Sequence, residues 1–222
     1  TMTIWSNIFS DTGLMKKNQS WCPKCYQEWR NQDKPIYQPL LWFIKPIEIC
    51  DVHGSLLEEE CPQCHKTIPV LSRFCIPGFC SKCGAWLGYD SNRYLQKKTD
   101  YYKYQDWITK QTGILLSLNG SISETVNETQ FKHNVHLLLD RIDSSDFFGS
   151  IKKNAIRWSQ PGKLVEIKSF MDFSFSMGIP VYDLLFGEME MGKDHVKRVM
   201  AKKLTPNKNK IKRNINYAYI IR

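Results

Sequence analysis

Four short pairs of metal-binding residues constrain this 222-residue chain more than any other feature. Within each pair, two residues separate the ligands, which lets a tight turn direct both side chains at one tetrahedral ion. Eight ligands make two complete sets of four. The sequence therefore predicts two zinc ions that stabilise the fold. The pairs are Cys22 and Cys25, Cys50 and His53, Cys61 and Cys64, and Cys80 and Cys83.

The spacing alone leaves the pairing of these ligands open. Sequential pairing, the first pair with the second and the third with the fourth, is the simpler arrangement, and a cross-braced arrangement is also permitted. The 15 residues between Cys64 and Cys80 are typical of a four-cysteine zinc ribbon. Cys75 is left over, either as a buried apolar thiol or as a weak alternative ligand, and His65 is expected to be a non-ligand.

The eight cysteines could instead form disulfides, which would require an oxidising compartment. The regular pair spacing and the lack of a charged-then-apolar leader favour reduced thiolates and a cytoplasmic protein. No run approaches 18 apolar residues, so no membrane contact is expected.

A zinc enzyme keeps one coordination position open and places a general base nearby. Here both ligand sets are full, and the sequence contains no H-x-E or H-E-x-x-H motif. It also lacks G-x-S-x-G and a phosphate-binding loop. The chain is therefore predicted to have no catalytic residues and not to be an enzyme.

Positive charge is concentrated at the carboxyl end of the chain. The net charge is +9, and all of it comes from residues 193–222, because the preceding residues hold equal numbers of acidic and basic side chains. Such a tail predicts sequence-independent contacts with DNA phosphates, or else serves only to keep the chain soluble. The candidate contacts are Lys197, Arg198, Lys202 and Lys203.

Between the cysteines and this tail, the pattern predicts helices. Apolar residues at helical spacing run from Tyr94 to Leu116, and again from Phe131 to Ile142. Farther on, the turn Met177–Pro180 and a closing helix Val181–Leu185 resemble the end of a repressor-type helix-turn-helix domain. The expected organisation is a double zinc module (residues 1–90), a connecting helix and loop (91–125), a helix-turn-helix-like domain (126–192) and the basic segment (193–222).

In that register, the base-reading helix runs from Ser150 to Trp158. Asn and Arg side chains can read bases in the major groove through paired hydrogen bonds. The alternative is an ordinary surface helix with scattered charges. The residues expected to face DNA are Lys152, Lys153, Asn154 and Arg157, and those expected to pack inward are Ile151, Ala155 and Ile156.

The order of the cysteine motifs resembles the zinc region of the TniQ family, which includes TnsD-like target-selection proteins of bacterial transposons. The segment CDVHGSLLEEECPQC is the most specific part, with C-x2-HG, two leucines and then CPxC. The resemblance covers residues 20–90 well and the remainder loosely. Family members usually carry a segment with a first helix-turn-helix before the zinc region, and this chain is expected to lack it.

The resemblance implies a bacterial, nucleoid-associated protein that selects the insertion site of a transposon. It would connect double-stranded DNA, or an RNA-guided CRISPR effector complex on that DNA, to an AAA+ ATPase that activates the transposase. The alternatives are a helix-turn-helix transcription regulator unrelated to transposition, a zinc-dependent hydrolase and a protein-only adaptor. The expected fold class is a small α+β protein with tandem zinc-ribbon or zinc-knuckle modules and a helix-turn-helix domain.

Overall fold

The computed structural model describes residues 5, 7–91, 93, 99–118, 125–139, 149–160 and 162–187. The chain divides into two compact units. Met15–Lys110 form the zinc unit, and the described residues up to Leu14 join those from Gln111 onward in the helical unit. These boundaries differ from the expected divisions at residues 90 and 126. The predicted DNA contacts Lys197, Arg198, Lys202 and Lys203 lie outside the described residues.

Six α-helices and one short 3₁₀ helix are present in the described part of the chain. The 3₁₀ helix spans Leu40–Phe43. The α-helices are α1 (Pro23–Asn31), α2 (Asp100–Leu118), α3 (Glu128–Leu139), α4 (Gly149–Trp158), α5 (Ile167–Met177) and α6 (Val181–Phe186).

From its aromatic and β-branched content, the segment LLWFIKPIEIC is expected to form a strand, but it does not. Its first four residues form the 3₁₀ helix, and only Ile44 and Ile49 make isolated bridges, to Met15 and Leu56. Leu41, Trp42 and Phe43 are all buried in succession, whereas a strand with one face open to solvent buries every second side chain. Across the described ranges, β pairing is limited to isolated bridges, which corrects the β part of the expected α+β fold.

In the zinc unit, the start of α2 is fixed to the segment that leads into Cys50. The buried Gln105 donates through Nε2 to the Pro46 carbonyl at 3.3 Å and accepts at Oε1 from the Glu48 backbone N–H at 3.1 Å. Tyr101 donates its hydroxyl to the Glu48 carboxylate at 2.5 Å. The helix predicted for Tyr94–Leu116 is confirmed from Asp100 onward, and Tyr94 lies outside the described residues.

The helical unit packs α3 against α4 and α6, and α5 against α4 and α6. Trp158 and Phe173 meet edge to face at a centroid distance of 5.7 Å in its core. The buried Asn134 of α3 donates through Nδ2 to the carbonyls of Leu184 and Gly187, at 3.2 and 2.7 Å. This side chain therefore satisfies backbone acceptors at the end of α6, which a helix leaves without partners.

Residues near the start of the chain belong to this helical core rather than to a zinc module. Ser10 N–H donates to the Val165 carbonyl at 2.9 Å, and Val165 N–H donates to the Ile8 carbonyl at 2.8 Å. The Phe9 ring packs edge to face on Phe170 at 5.0 Å. The segment before Leu14 was expected to belong to the double zinc module of residues 1–90, so this pairing differs from the predicted organisation.

The predicted turn between the last two helices is confirmed. α5 ends at Met177, Gly178 adopts the left-handed conformation with φ 65°, and α6 begins at Val181 after Pro180. The buried hydroxyl of Ser174 donates to the Ile179 carbonyl and holds the turn against α5. Over the described ranges, no helix has the length and apolar character that a membrane span would need.

Candidate metal centres and DNA-facing helix

Three of the four ligand pairs lie on turns with the same backbone geometry, which we call knuckles: Cys50–His53, Cys61–Cys64 and Cys80–Cys83. In each knuckle, the N–H of the first ligand donates to the carbonyl five residues later. The N–H of the residue after the second ligand donates back to the carbonyl of the first. All six distances lie between 2.8 and 3.1 Å. The flanking bridges are Ile49 to Leu56, Glu60 to Thr67, and Phe79 to Trp86.

The residue that follows the second ligand has a positive φ in every knuckle. These residues are Gly54 with φ 63°, His65 with φ 55° and Gly84 with φ 74°. Glycine adopts this conformation without steric cost, whereas a residue with a Cβ is disfavoured there. His65 therefore occupies a glycine position of the repeated turn, which accounts for its conformation without any role as a ligand.

The remaining pair, Cys22 and Cys25, lies at the start of α1. Cys22 is the N-cap residue, Pro23 follows at the first helical position, and Cys25 lies in the first turn. Proline is favoured at this position because its fixed φ suits a helix start and its missing N–H would have no partner there. The positive end of the helix dipole favours thiolates at this site.

The first candidate centre brings the α1 pair and the first knuckle together. His53 Nδ1 lies 3.5, 3.3 and 3.7 Å from the sulfurs of Cys22, Cys25 and Cys50. The Cys25 and Cys50 sulfurs are 3.6 Å apart. A tetrahedral zinc ion with ordinary bond lengths would separate sulfur from nitrogen by about 3.6 Å and two sulfurs by about 3.8 Å. The four donor atoms are therefore spaced to fit one zinc ion.

The second candidate centre combines the other two knuckles. Cys61 and Cys83 sulfurs are 3.7 Å apart, and Cys64 and Cys80 sulfurs are 3.8 Å apart. These separations again match the edge of a zinc–thiolate tetrahedron, about 3.8 Å. They are far longer than a disulfide bond, and all eight cysteines are free thiols. Both groups of four can hold a zinc ion, and they follow the sequential pairing.

His53 is oriented by a carboxylate on α1. Its Nε2 lies 2.8 Å from Glu28 Oε1, while Nδ1 faces the three sulfurs. The pKa of His53 rises to about 9, chiefly because the Cys22 thiolate accepts a hydrogen bond from the ring. Burial of the ring opposes this rise, and the hydrogen bond to Glu28 adds to it. Carboxylates commonly orient metal-binding histidines in this way. Glu28 thus holds the ring with Nδ1 as the atom available to a metal.

The three buried thiols of the first group influence one another strongly. Hydrogen bonding from Cys25 lowers the pKa of Cys22, whereas hydrogen bonding to Cys22, together with burial, raises the pKa values of Cys25 and Cys50. One thiolate is therefore favoured, and further thiolates beside it are disfavoured. A divalent cation would remove this conflict, because it attracts all three thiolates and displaces their protons.

Cys75 lies outside both four-membered groups. Its sulfur accepts a hydrogen bond from the Gln19 side chain, with Nε2 at 2.9 Å. The thiol is only partly buried, unlike the buried apolar thiol that was one of the two expectations. Sequence reasoning did not identify Gln19 or Glu28, because each lies far along the chain from the side chain it contacts.

The helix predicted at Ser150–Trp158 is observed as α4 (Gly149–Trp158). Lys153, Asn154 and Arg157 are exposed, and Lys152 is half-buried. Ala155 packs inward as predicted, but Ile156 is 46% exposed, which corrects its expected inward position. Trp158 supplies the second buried contact, because it lies three residues after Ala155 on the same helix face. The Ile151 side chain lies outside the described residues.

The three-residue turn typical of a helix-turn-helix joins α5 and α6, whereas a longer connection separates α4 from α5. Base reading was expected on α4, which does not border this three-residue turn. The assignment of α4 as the recognition helix therefore stays a prediction. The short α6 exposes a different surface, with the Tyr182 and Phe186 rings 5.1 Å apart.

No curated protein matches the chain. The family model described as TniQ matches residues 1–57. This segment includes all four donors of the first candidate centre and ends before Cys61. The expected resemblance to the TniQ family is therefore confirmed over residues 1–57, a segment that begins earlier and ends sooner than the expected residues 20–90.

Proposed function

We propose that this chain is a DNA-binding targeting protein of a bacterial transposon, held together by two structural zinc ions, one in each candidate centre. The observation that carries the proposal is the TniQ match over residues 1–57. It favours transposition over an unrelated helix-turn-helix transcription regulator. The protein is not an enzyme in this proposal, because each zinc ion has four protein ligands and no position for a substrate.

In the metal centres, Cys22, Cys25, Cys50 and His53 would hold the first ion, and Cys61, Cys64, Cys80 and Cys83 the second. Donor separations of 3.3 to 3.8 Å support this assignment. Each ion would link segments that pair only through isolated bridges. Binding free energy at such sites contributes directly to folding free energy.

DNA contacts are assigned to the exposed face of α4 and to the basic segment. Lys153, Asn154 and Arg157 can reach phosphates or base edges because they are exposed on one helix whose opposite face is anchored by Ala155 and Trp158. Half-buried Lys152 would add a phosphate contact. In the basic segment, Lys197, Arg198, Lys202 and Lys203 would add contacts that do not depend on DNA sequence.

The proposed partners are double-stranded DNA and an AAA+ ATPase that regulates the transposase, with an RNA-guided CRISPR effector complex as a second means of reaching the target. The protein would bring the ATPase to the chosen DNA site. It would do so in the bacterial cytoplasm, associated with the nucleoid.

Three measurements on the purified chain test this function. Elemental analysis should give about two zinc ions per chain, as two complete ligand sets require. Mobility shifts should show DNA binding that weakens steeply between two salt concentrations. The AAA+ ATPase of the same transposon should be retained on DNA only when this chain is present. One zinc or none contradicts the metal assignment, and no DNA binding at low salt contradicts the targeting role.

A further inference from the structure

Three large apolar side chains project into solvent from one loop of the second candidate centre. Leu71 is 95% exposed, Phe74 74% and Ile76 64%. We call residues 71–76 the anchor loop. Isolated apolar side chains are normal on a protein surface, but three exposed side chains of this size within six residues are a concentration that favours an interaction site.

The base of the anchor loop is held in place, although its tip is exposed. The buried Gln19 donates through Nε2 to the Pro69 carbonyl at 3.2 Å and to the Cys75 sulfur at 2.9 Å. Its Oε1 accepts from Gln38 Nε2 at 2.7 Å. Val70 N–H donates to the Lys17 carbonyl at 3.1 Å. One buried side chain therefore links the residue that leads into the loop to Cys75 near the end of the loop.

The far end of the loop is equally constrained. Phe79 N–H donates to the Ile76 carbonyl at 3.0 Å, and Leu87 N–H donates to the Gly78 carbonyl at 2.8 Å. A Cβ added to Gly78 would lie 2.4 Å from the Trp86 ring, so this glycine is packed closely against the knuckle. A loop fixed in this way loses little conformational freedom when it binds, which favours affinity.

The charge around the anchor loop indicates what kind of surface it fits. Arg73 is exposed between Leu71 and Phe74, and residues 61–89 contain Lys66, Arg73 and Lys82 but no acidic residue. Two copies meeting through this loop would bring their Arg73 side chains together, which disfavours self-association. A partner with carboxylates beside an apolar cleft would complement the loop in both charge and polarity.

We propose that the anchor loop inserts Leu71, Phe74 and Ile76 into an apolar cleft of a protein partner whose rim carboxylates pair with Arg73. The inference rests on the proposed function, which supplies the partner: the AAA+ ATPase. A protein cleft fits better than the DNA minor groove, which takes apolar wedges but is lined by phosphates. Only one basic residue, Arg73, lies within the loop, which is too few to neutralise the phosphates along both sides of a minor groove.

The test measures binding of the purified ATPase to the zinc-loaded chain of 222 residues, in the wild type and three variants. Leu71→Ser with Phe74→Ser removes two of the three apolar anchors, and Arg73→Glu reverses the charge. Val52→Ser is the matched control, because Val52 is an exposed apolar residue, 66% accessible, on a different knuckle. Zinc content and thermal unfolding are measured for each variant to show that it is folded.

The double variant should bind the ATPase at least about tenfold more weakly, as expected when two anchor residues of an interface are truncated. Arg73→Glu should slow association, and Val52→Ser should bind like the wild type. Equal binding by the double variant and the wild type would overturn the anchor loop and leave ATPase recruitment standing. Failure of the wild type to bind would overturn both.

Hydrogen exchange on the wild type provides a measurement that does not depend on any variant folding. Residues 69–79 should become protected when the ATPase is added, and protection confined to other segments would contradict the proposal.

Two further readouts identify other occupants. Loss of DNA affinity alone in the double variant would indicate a minor-groove wedge, and a wild-type dimer that the double variant abolishes would indicate a second copy. Either result overturns the assignment to the ATPase.

Discussion

Glu28 and His53 are joined across the first candidate centre, with Oε1 of the carboxylate 2.8 Å from Nε2 of the ring. Because the opposite ring atom, Nδ1, faces three cysteine sulfurs, the carboxylate determines which nitrogen is presented to a metal ion. The Glu28 side chain is about half exposed, so the carboxylate orients the His53 ring while it remains in contact with solvent.

Replacing Glu28 by glutamine should weaken zinc binding at the first centre by about tenfold or more, because an outer carboxylate that holds a metal-binding histidine typically contributes that much. Competition with a chromophoric chelator measures the affinity, and cobalt substitution distinguishes a three-sulfur, one-nitrogen site from a four-sulfur site. Glu60→Gln, at an exposed carboxyl of the same unit, is the control. Unchanged affinity at the first centre would mean that Glu28 has no positioning role.

The positive φ shared by the three knuckles predicts opposite effects for two substitutions. His65→Gly should stabilise the protein by up to about 1 kcal/mol, because it removes the cost of a left-handed residue with a Cβ. Gly84→Ala should destabilise it by about 1 kcal/mol, since an added Cβ meets no atom within 4 Å and only the conformation is strained. Chemical unfolding of the zinc-loaded chain measures both. Destabilisation by His65→Gly would show that the imidazole makes a stabilising contact.

In the helical unit, Asn134→Ala should lower the free energy of unfolding by about 1–3 kcal/mol, because its Nδ2 satisfies two carbonyls at the end of α6 that would lose their donor. Urea denaturation gives the value. Gln130→Ala is the matched control, because it removes a single hydrogen bond, to Asn134 Oδ1, from a partly exposed side chain. If the two variants are equally stable, the carbonyls do not depend on Asn134.

On α4, Arg157→Ala and Lys153→Ala should each weaken DNA binding and reduce the dependence of log affinity on log salt by about one unit, as loss of one phosphate contact does. Thermal stability should not change, because both side chains are exposed. Lys103→Ala, an exposed position on α2, controls for general loss of positive charge. A stability loss with unchanged DNA affinity would show that α4 is only a packing helix.

A chelator should unfold the zinc unit, because no described strand pairing in residues 15–110 extends beyond isolated bridges. Loss of both ions would leave buried thiols as close as 3.6 Å. Circular dichroism during chelation and zinc restoration measures the change, and structural zinc predicts full recovery on adding the metal. A chain that keeps its structure without zinc would contradict the structural role.

Local patterns were the parts of the structure that could be predicted. The ligand pair Cys61 and Cys64 could be predicted because one tight turn is enough to direct both side chains at one ion. The turn after α5 could be predicted because it contains Gly178, which adopts the left-handed conformation that ends the helix. Burial that depends on distant partners was harder to predict. Ile156 was placed inward because it is apolar, but the surface of α4 that meets its neighbours passes through Ala155 and Trp158.

Pairings between distant segments could not be read from the sequence at all. Nothing in the sequence near Phe9 indicates that Val165 will pair with it, and nothing near Gln19 indicates Cys75. The strand expected at residues 40–50 was wrong. β-branched and aromatic content favours a strand, but it does not reveal that Leu41, Trp42 and Phe43 are buried in succession by a 3₁₀ helix.

The pairing of Ser10 with Val165 also has a consequence for synthesis on the ribosome. The chain leaves the helical unit after Leu14 and returns to it at Gln111, so the whole zinc unit is translated between two parts of one core. The partner of Ser10 emerges only after every cysteine has been made. Because domains tend to fold as they emerge, the metal-binding unit can complete its folding first, while the amino-terminal segment waits for the partner that will cover Phe9.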